Sequence, residues 1–548
     1  MDIQNSVTEF VQQKDLQCYG HVKRKLEEAL PKCAVDMKQK KIKRDDCLIL
    51  HIYVAGSFTE PAEYLVDNEA GRAFASGEPW HCLALAWKSP ARWPPPSRCQ
   101  SCTRRLPDRP TRRMRVAEGA ALVLCCWAVA AHAQSRRQRL LRLPSSPRAL
   151  LGYYEGLREA IAKAVAPRNR LAGLRDAQKL NMLQPEVPSD RPFPCDTRLG
   201  RSPSPPDSVH RLRPGDIDVI AALGDSLTAG YGNVAANLLQ VAIENKGMSW
   251  SIGGEGSWRQ FLTLPNILKE FNPRLVGYSL NDSLSHQHAS QFNVAEGGAM
   301  SRDLPWQANL LVRRMRAHPQ VDVSRHWKMV TILIGGNDFC IDMCYEGRAA
   351  GAVESHRREL METLDYLRAN LPRTIVNLVV APHLRILVEA EDMPGRCWLT
   401  HHVECPCLMG SRFQAQRQQF FDIMSRWQQV DLDVAIDKRY AGLEDFTVVA
   451  QPFLLNASFL TVNTSSGPRT DFTVLSQDCF HLSQKGDALA ANALWNNLME
   501  PVGNKSVEWQ ETFSRFLCPT QQSPYIYTNE NSRRGASSRR RRRRQRGR

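Results

Sequence analysis

The chain has 548 residues, 43% hydrophobic and 23% charged, proportions that exclude a wholly disordered chain, a collagen and a polytopic membrane protein. At about 150 residues per domain the length allows three or four domains. The net charge of +16 would by itself point to a nucleic-acid or anionic-membrane binder, but it sits at the ends. Residues 533–548 hold ten Arg and no acid, residues 1–113 hold 19 basic and 14 acidic residues, and residues 114–532 are balanced at 43 and 42.

Residues 1–113 read as a poorly structured extension. The basic run Lys38–Arg44 precedes one short apolar stretch, Leu48–Val54, that has the look of a strand, and an Arg/Pro-rich stretch follows. No periodicity is sustained. Cys99-x-x-Cys102 has half of a zinc-site spacing, but a second pair at finger-like distance is missing, so an incidental pair is the better reading. Residues 114–133 combine a basic start, an apolar core (Ala120–Ala131) and Ala131-His132-Ala133, which is the pattern of a secretory signal peptide. The core is shorter than the roughly 20 residues of a membrane span. Because a signal peptide works at a nascent N-terminus, the expectation is that Met114 is the true start and that residues 1–113 are an upstream or alternative-exon extension. The mature protein would then be secreted from about Gln134. Two features agree with that. Eight cysteines follow the cleavage point, an even number suited to disulfides in any of 105 pairings, and sequons stand at Asn281, Asn456, Asn463 and Asn504 as glycosylation candidates.

Residues 134–215 are predicted to be a lead-in. They contain an amphipathic helix over 148–165, with Leu151, Tyr154, Leu157/Arg158, Ile161 and Val165 near one face, and then a Pro-rich extended run. From Asp216 strands and helices alternate. Strands are predicted at Ile217–Leu223, Leu275–Ser279, Met329–Ile334, Thr374–Ala381 and Phe446–Pro452. Helices are predicted at Val234–Lys246, Leu304–Ala317, Val353–Asn370, Arg412–Val430 and Lys485–Met499. This alternation predicts a three-layer α/β domain, residues 216–518, with an open, mostly parallel sheet covered on both faces. Residues 519–548 are a tail ending in the Arg run.

In such a sheet the site lies at the carboxyl ends of the strands. Gly224-Asp225-Ser226 follows the first strand. Glycine permits a sharp turn, and the Ser then sits at the positive end of a helix, where an alkoxide is favoured. Gly335-Gly336-Asn337-Asp338 follows a later strand, and the Asn amide is a neutral donor suited to an oxyanion. Asp478-Cys479-Phe480-His481 precedes the last helix, with a spacing that lets Asp hold the imidazole tautomer. Each alone has a bland alternative: a helix cap, a turn, or a satisfied surface pair.

Together the three motifs resemble the GDSL, or SGNH, serine esterases and lipases, whose fold is a flavodoxin-like three-layer α/β sandwich. Ile252-Gly253-Gly254-Glu255-Gly256 fits the family's second block, in which a Gly supplies an oxyanion-hole N–H; Gly254 is the best match, with Gly253 and Gly256 as rivals. Over residues 150–532 the stretches PSDRPFPC (188–195), PDSVHRLRPGDIDVIAALGDSLTAGYG (206–232), TLPNILKEFNP (263–273), GGNDFC (335–340), DCFHLSQKG (478–486) and FLCP…PYIYTNENS (517–532) are similar to one repeat of the membrane-associated phospholipase B branch. That branch has several tandem repeats and a membrane anchor, where this chain has one copy and an Arg run.

The resemblance implies a serine esterase acting on phospholipids and lysophospholipids at a membrane or micelle surface through an acyl-enzyme. Ser226 would be the nucleophile, His481 the general base, Asp478 its orienting acid, and Ser226, Gly254 and Asn337 the oxyanion hole. No cofactor and no metal are implied. Asp225 and Asp338 read as structural, and His383, His401 and His402 lack a third metal ligand at sensible spacing. The alternatives are a GDSL esterase on another acyl ester, such as a retinyl ester or acylated sugar, and a non-catalytic lipid-binding module. A specific nucleic-acid partner is not expected. The Arg tail lacks interleaved aromatics, so it offers only non-specific contact with anions.

Overall fold

The structure is a computed structural model that describes residues 148–533, apart from 346, 391–392 and 466. All belong to the unit Ala131–Arg548. The expected strand at 48–54, the Cys99/Cys102 pair, the signal-like segment and the Arg run beyond Arg533 lie outside the described residues.

Eight helices of at least eight residues and six strands give the described chain its order. They are α1 (Arg148–Val165), α2 (Arg170–Lys179), β1 (Val219–Gly224), α3 (Leu264–Phe271), α4 (Leu304–Ala317), β2 (Lys328–Leu333), α5 (Arg348–Asn370), β3 (Thr374–Val379), α6 (Gly395–Glu404), α7 (Arg417–Ala435), β4 (Phe446–Gln451), the hairpin β5 (Thr461–Thr464) and β6 (Gly467–Thr470), and α8 (Gln484–Leu498). Strands β1 to β4 form one sheet in the order β1-β2-β3-β4. All three pairings are parallel, with Val219 opposite Lys328, Lys328 opposite Thr374, and Thr374 opposite Phe446.

The strands are apolar on both faces because both faces are covered. Side chains alternate with period two. Val219, Ala221 and Leu223 of β1 enter one core with Leu304, Leu311, Leu364 and Val434 from α4, α5 and α7. Ile220 and Ala222 enter the opposite core with Ile267, Phe271, Leu494 and Trp495 from α3 and α8. The result is the three-layer architecture expected. A third cluster, around Phe339, Leu384, Phe421 and Trp427, caps the carboxyl end of the sheet.

Two expected elements differ. Val234–Lys246 is not an α-helix: one short 3-10 stretch spans Leu238–Ala242. Local side chains take the backbone groups a helix would need. Asn237 Oδ1 accepts from Leu239 N and Gln240 N, Gln240 Oε1 from Ala236 N, and Asn245 Oδ1 from Val234 N. The segment instead folds back on the nucleophile turn through a Tyr231–Glu244 bridge. Leu275–Ser279 is not a continuous strand either. Val276 and Asn293 each make a parallel bridge to β1, so two short pieces cover that edge. On α1, Leu157 is exposed and Arg158 is the residue that turns inward.

All eight cysteines after residue 134 are paired: Cys195–Cys518, Cys340–Cys405, Cys344–Cys407 and Cys397–Cys479. Such cross-links persist in oxidising compartments. The four sequon asparagines, Asn281, Asn456, Asn463 and Asn504, are exposed. Among the described residues, no helix is long and apolar enough to cross a membrane.

Candidate active site

The site begins where β1 stops. Gly224 has φ +153°, and a Cβ there would lie 2.5 Å from Leu333 O and 2.7 Å from Thr228 Oγ1; only glycine fits. The chain then enters a single helical turn, Ser226–Ala229. Asp225 is its N-cap, accepting from Leu227 N, and Gly230 ends it in the left-handed region at φ +73°. Ser226 is therefore presented at the first position of a helix, where amides lack an intrahelical acceptor.

Ser226 Oγ is 2.8 Å from His481 Nε2, and His481 Nδ1 is 2.6 Å from Asp478 Oδ2. Asp478 Oδ1 also accepts from the amides of Phe480 and His481, both at 3.0 Å. Burial alone would raise the Asp478 carboxyl, but the facing His481 and these hydrogen bonds hold it below its ordinary value. The His481 ring stacks on Tyr231, with centroids 5.4 Å apart. Tyr231 OH accepts from Arg158 of α1, so the lead-in helix reaches the imidazole through one tyrosine.

Asn337 joins Ser226 in lining an apolar cleft whose walls include Leu384, Leu387, Phe453, Phe459, Phe480 and Trp509. Its Nδ2 donates to Ala299 O at 3.0 Å, which fixes the amide and leaves the second N–H hydrogen for another acceptor. Gly254 is not brought to this cleft. Its N–H donates to Ser279 O at 2.8 Å, and its Cα packs so tightly that a Cβ would lie 2.0 Å from the Tyr278 ring. Of the rivals, Gly253 N–H donates to Ser249 O, and Gly256, at φ +62°, is not among the residues that line the cleft. In this structure the Gly254 N–H, expected to face an oxyanion, is engaged by Ser279 O.

Asp225 is buried and Asp338 is half-buried. Burial raises the Asp225 carboxyl to about 6 and pushes Asp338 well above its ordinary value. His383, His401 and His402 each bond a backbone carbonyl, of Phe421, Cys479 and Trp398 respectively.

One feature had no sequence signal. Ser301, His356 and Asp431 form a second Ser–His–Asp relay, 2.6 Å from Ser301 Oγ to His356 Nδ1 and 2.9 Å from His356 Nε2 to Asp431 Oδ1. All three are buried, and the imidazole lies flat on Trp427 at 3.8 Å. Ser301 N donates to Asp338, the neighbour of Asn337. This relay ties α5 and α7 to the loop before α4 and braces the Asn337 turn. It stays hidden in the sequence because its members lie 55 and 75 residues apart.

A serine at a helix start, an imidazole bonded to it and a carboxylate behind the imidazole, all at the carboxyl end of a parallel sheet, define a hydrolase class. The chain belongs to the GDSL-like lipase/acylhydrolase family, whose model matches residues 220–494. Among curated proteins it is similar to "Phospholipase B1, membrane-associated" of Homo sapiens, with 40% identity over 366 residues, 66% of this chain and 24% of that protein. The proteins of that name in Rattus norvegicus and Mus musculus are 35% and 36% identical, over 68% and 61% of this chain and 26% and 23% of theirs. The chain thus spans about a quarter of the length of the curated relatives it matches.

Proposed function

We propose that the chain is a serine esterase that hydrolyses the acyl esters of phospholipids and lysophospholipids. The observation that carries this reading is the Ser226–His481–Asp478 relay opening onto an apolar cleft. Ser226 attacks the ester carbonyl while His481 Nε2 takes its proton. His481 then passes that proton to the leaving alcohol, and water releases the acyl-enzyme by the same route in reverse. Asp478 holds the imidazole with Nδ1 protonated. The Asn337 amide and the Ser226 N–H stabilise the oxyanion. The apolar lining suits an acyl chain, and the phospholipid class follows from the similarity to proteins named phospholipase B1. No step calls on a metal: both ring nitrogens of His481 are already engaged.

We also propose entry to the secretory pathway through the 114–133 segment, supported by the complete pairing of the eight cysteines and the exposure of the four sequon asparagines. The Arg tail would add only non-specific attraction to anionic surfaces.

The test is Ser226→Ala on a labelled phospholipid, with a fluorophosphonate probe alongside. Hydrolysis and labelling should both vanish; retained turnover removes Ser226 as nucleophile. A panel including retinyl esters and acylated sugars separates the phospholipid reading from another acyl ester.

A further inference from the structure

Helix α6 has one face turned to the Asp478–His481 loop. Cys397, Thr400, His401 and Glu404 follow one another at spacings of three, one and three residues, which places them on one side of a helix. Cys397 is bonded to Cys479. Thr400 Oγ1 donates to Asp478 O at 2.6 Å, and His401 Nε2 donates to Cys479 O at 2.9 Å. Between them they pin Cys479, a non-glycine residue at φ +60°, in a region costly for an L side chain. The next residue in chain order, Cys405, is bonded to Cys340, three positions after Asn337. The helix is therefore stapled between the acid loop and the oxyanion turn.

Glu404 completes this face. Carboxylate and ring atoms of Glu404, Asp478 and His481 lie within 4.8 Å of one another. Glu404 Oε2 is buried and no donor points at it. Two carboxylates in such contact do not both ionise. Asp478 receives three hydrogen bonds that favour its anion, whereas Glu404 Oε2 receives none, an asymmetry that favours the proton on Glu404. Burial first, and Asp478 second, push the Glu404 carboxyl well above its usual range.

We propose that Glu404 is a positioning residue for the Ser226 site: as a neutral carboxylic acid it donates a hydrogen bond to Asp478 and fixes that carboxylate against His481. This rests on the nucleophile reading above. The added donor makes Asp478 a weaker proton acceptor, so the Nδ1 proton stays on the imidazole while His481 carries positive charge. It does so without adding charge to the site.

The test compares Glu404→Gln, which keeps a donor, with Glu404→Met, which keeps the bulk alone, in the full chain. Readouts are kcat and KM on a soluble short-chain ester, fluorophosphonate labelling rate and thermal melting. The Gln variant should stay within about threefold of wild type. The Met variant should lose about tenfold or more in kcat and in labelling rate, with KM and melting unchanged. Should the Met variant melt early, Glu404→Ala is read the same way. Wild-type kcat in a folded variant without the donor overturns the proposal. So does an equal loss in the Gln and Met variants, or activity removed by a chelator and restored by a divalent metal. Ser226→Ala runs in parallel: labelling that survives there fails the nucleophile reading instead.

Discussion

Asn337 has two N–H hydrogens and one fixed partner, Ala299 O. Its free hydrogen is the donor proposed for the oxyanion, and such a donor is typically worth a factor of about 10²–10³ in kcat. Asn337→Ala should show that loss with KM little changed, measured on a soluble ester. Gly254→Ala should behave differently. A Cβ 2.0 Å from the Tyr278 ring should lower the melting temperature before it touches kcat. Asp225 makes a further prediction. Burial holds its folded-state value at about 6, above the ordinary aspartate value of 3.8. Between about pH 4 and 6 the folded chain thus binds more protons than the unfolded one, and stability from this group falls as pH rises through that window and is flat above it. Asp225→Asn keeps an acceptor for Leu227 N and removes the cost. Melting at pH 8 should rise by the equivalent of at most about 3 kcal/mol, and the gain should fade by pH 4. An equal gain at both pH values would refute it.

At the scale of elements, the strand ends carried most of what could be read from sequence. The Gly224–Ser226, Gly335–Asn337 and Asp478–His481 motifs are local, so their spacing reveals them, and β1 to β4 are short apolar runs whose type is plain. The segment 234–246 misled because its apolar residues have helical spacing while its Asn and Gln side chains claim the backbone. Glu404, Tyr231 and the Ser301–His356–Asp431 relay were not legible, since each acts through contacts across tens or hundreds of residues that leave no period behind. The pairing of the cysteines stayed open in the sequence for the same reason. Among local features, the end of β1 bears most directly on the nucleophile. Gly224→Ala would press a methyl against Leu333 O on β2 in a backbone region that L residues avoid. It should displace the Ser226 turn, so that fluorophosphonate labelling falls even in the fraction that remains folded by circular dichroism.

For the molecule as a whole, the basic character that stood out in the composition belongs to its ends. The residues of the sheet and site lie within the charge-balanced part, 114–532, so salt should have little influence on turnover of a soluble ester. The two cores on either face of the sheet are filled by opposite helix sets, α4, α5 and α7 against α3 and α8. Every connection between sheet strands therefore crosses a packed layer, and the hydrolase domain should unfold as one unit.

The Cys195–Cys518 bond joins two positions 323 residues apart in sequence and 5.3 Å apart at their Cα atoms. Seen mechanically, it is a shunt. A load applied to the two ends of the chain runs through one covalent bond and bypasses the sheet, the nucleophile turn and the acid loop. Stretching a single molecule between its termini should peel away the lead-in helices and the segment after 518, then meet an inextensible stop. With reductant present the same pull should reach the sheet and release the whole enclosed length. An ester site inside such a loop can be tethered, dragged or strung in series with the tension reaching it only through the Arg158–Tyr231 contact of α1.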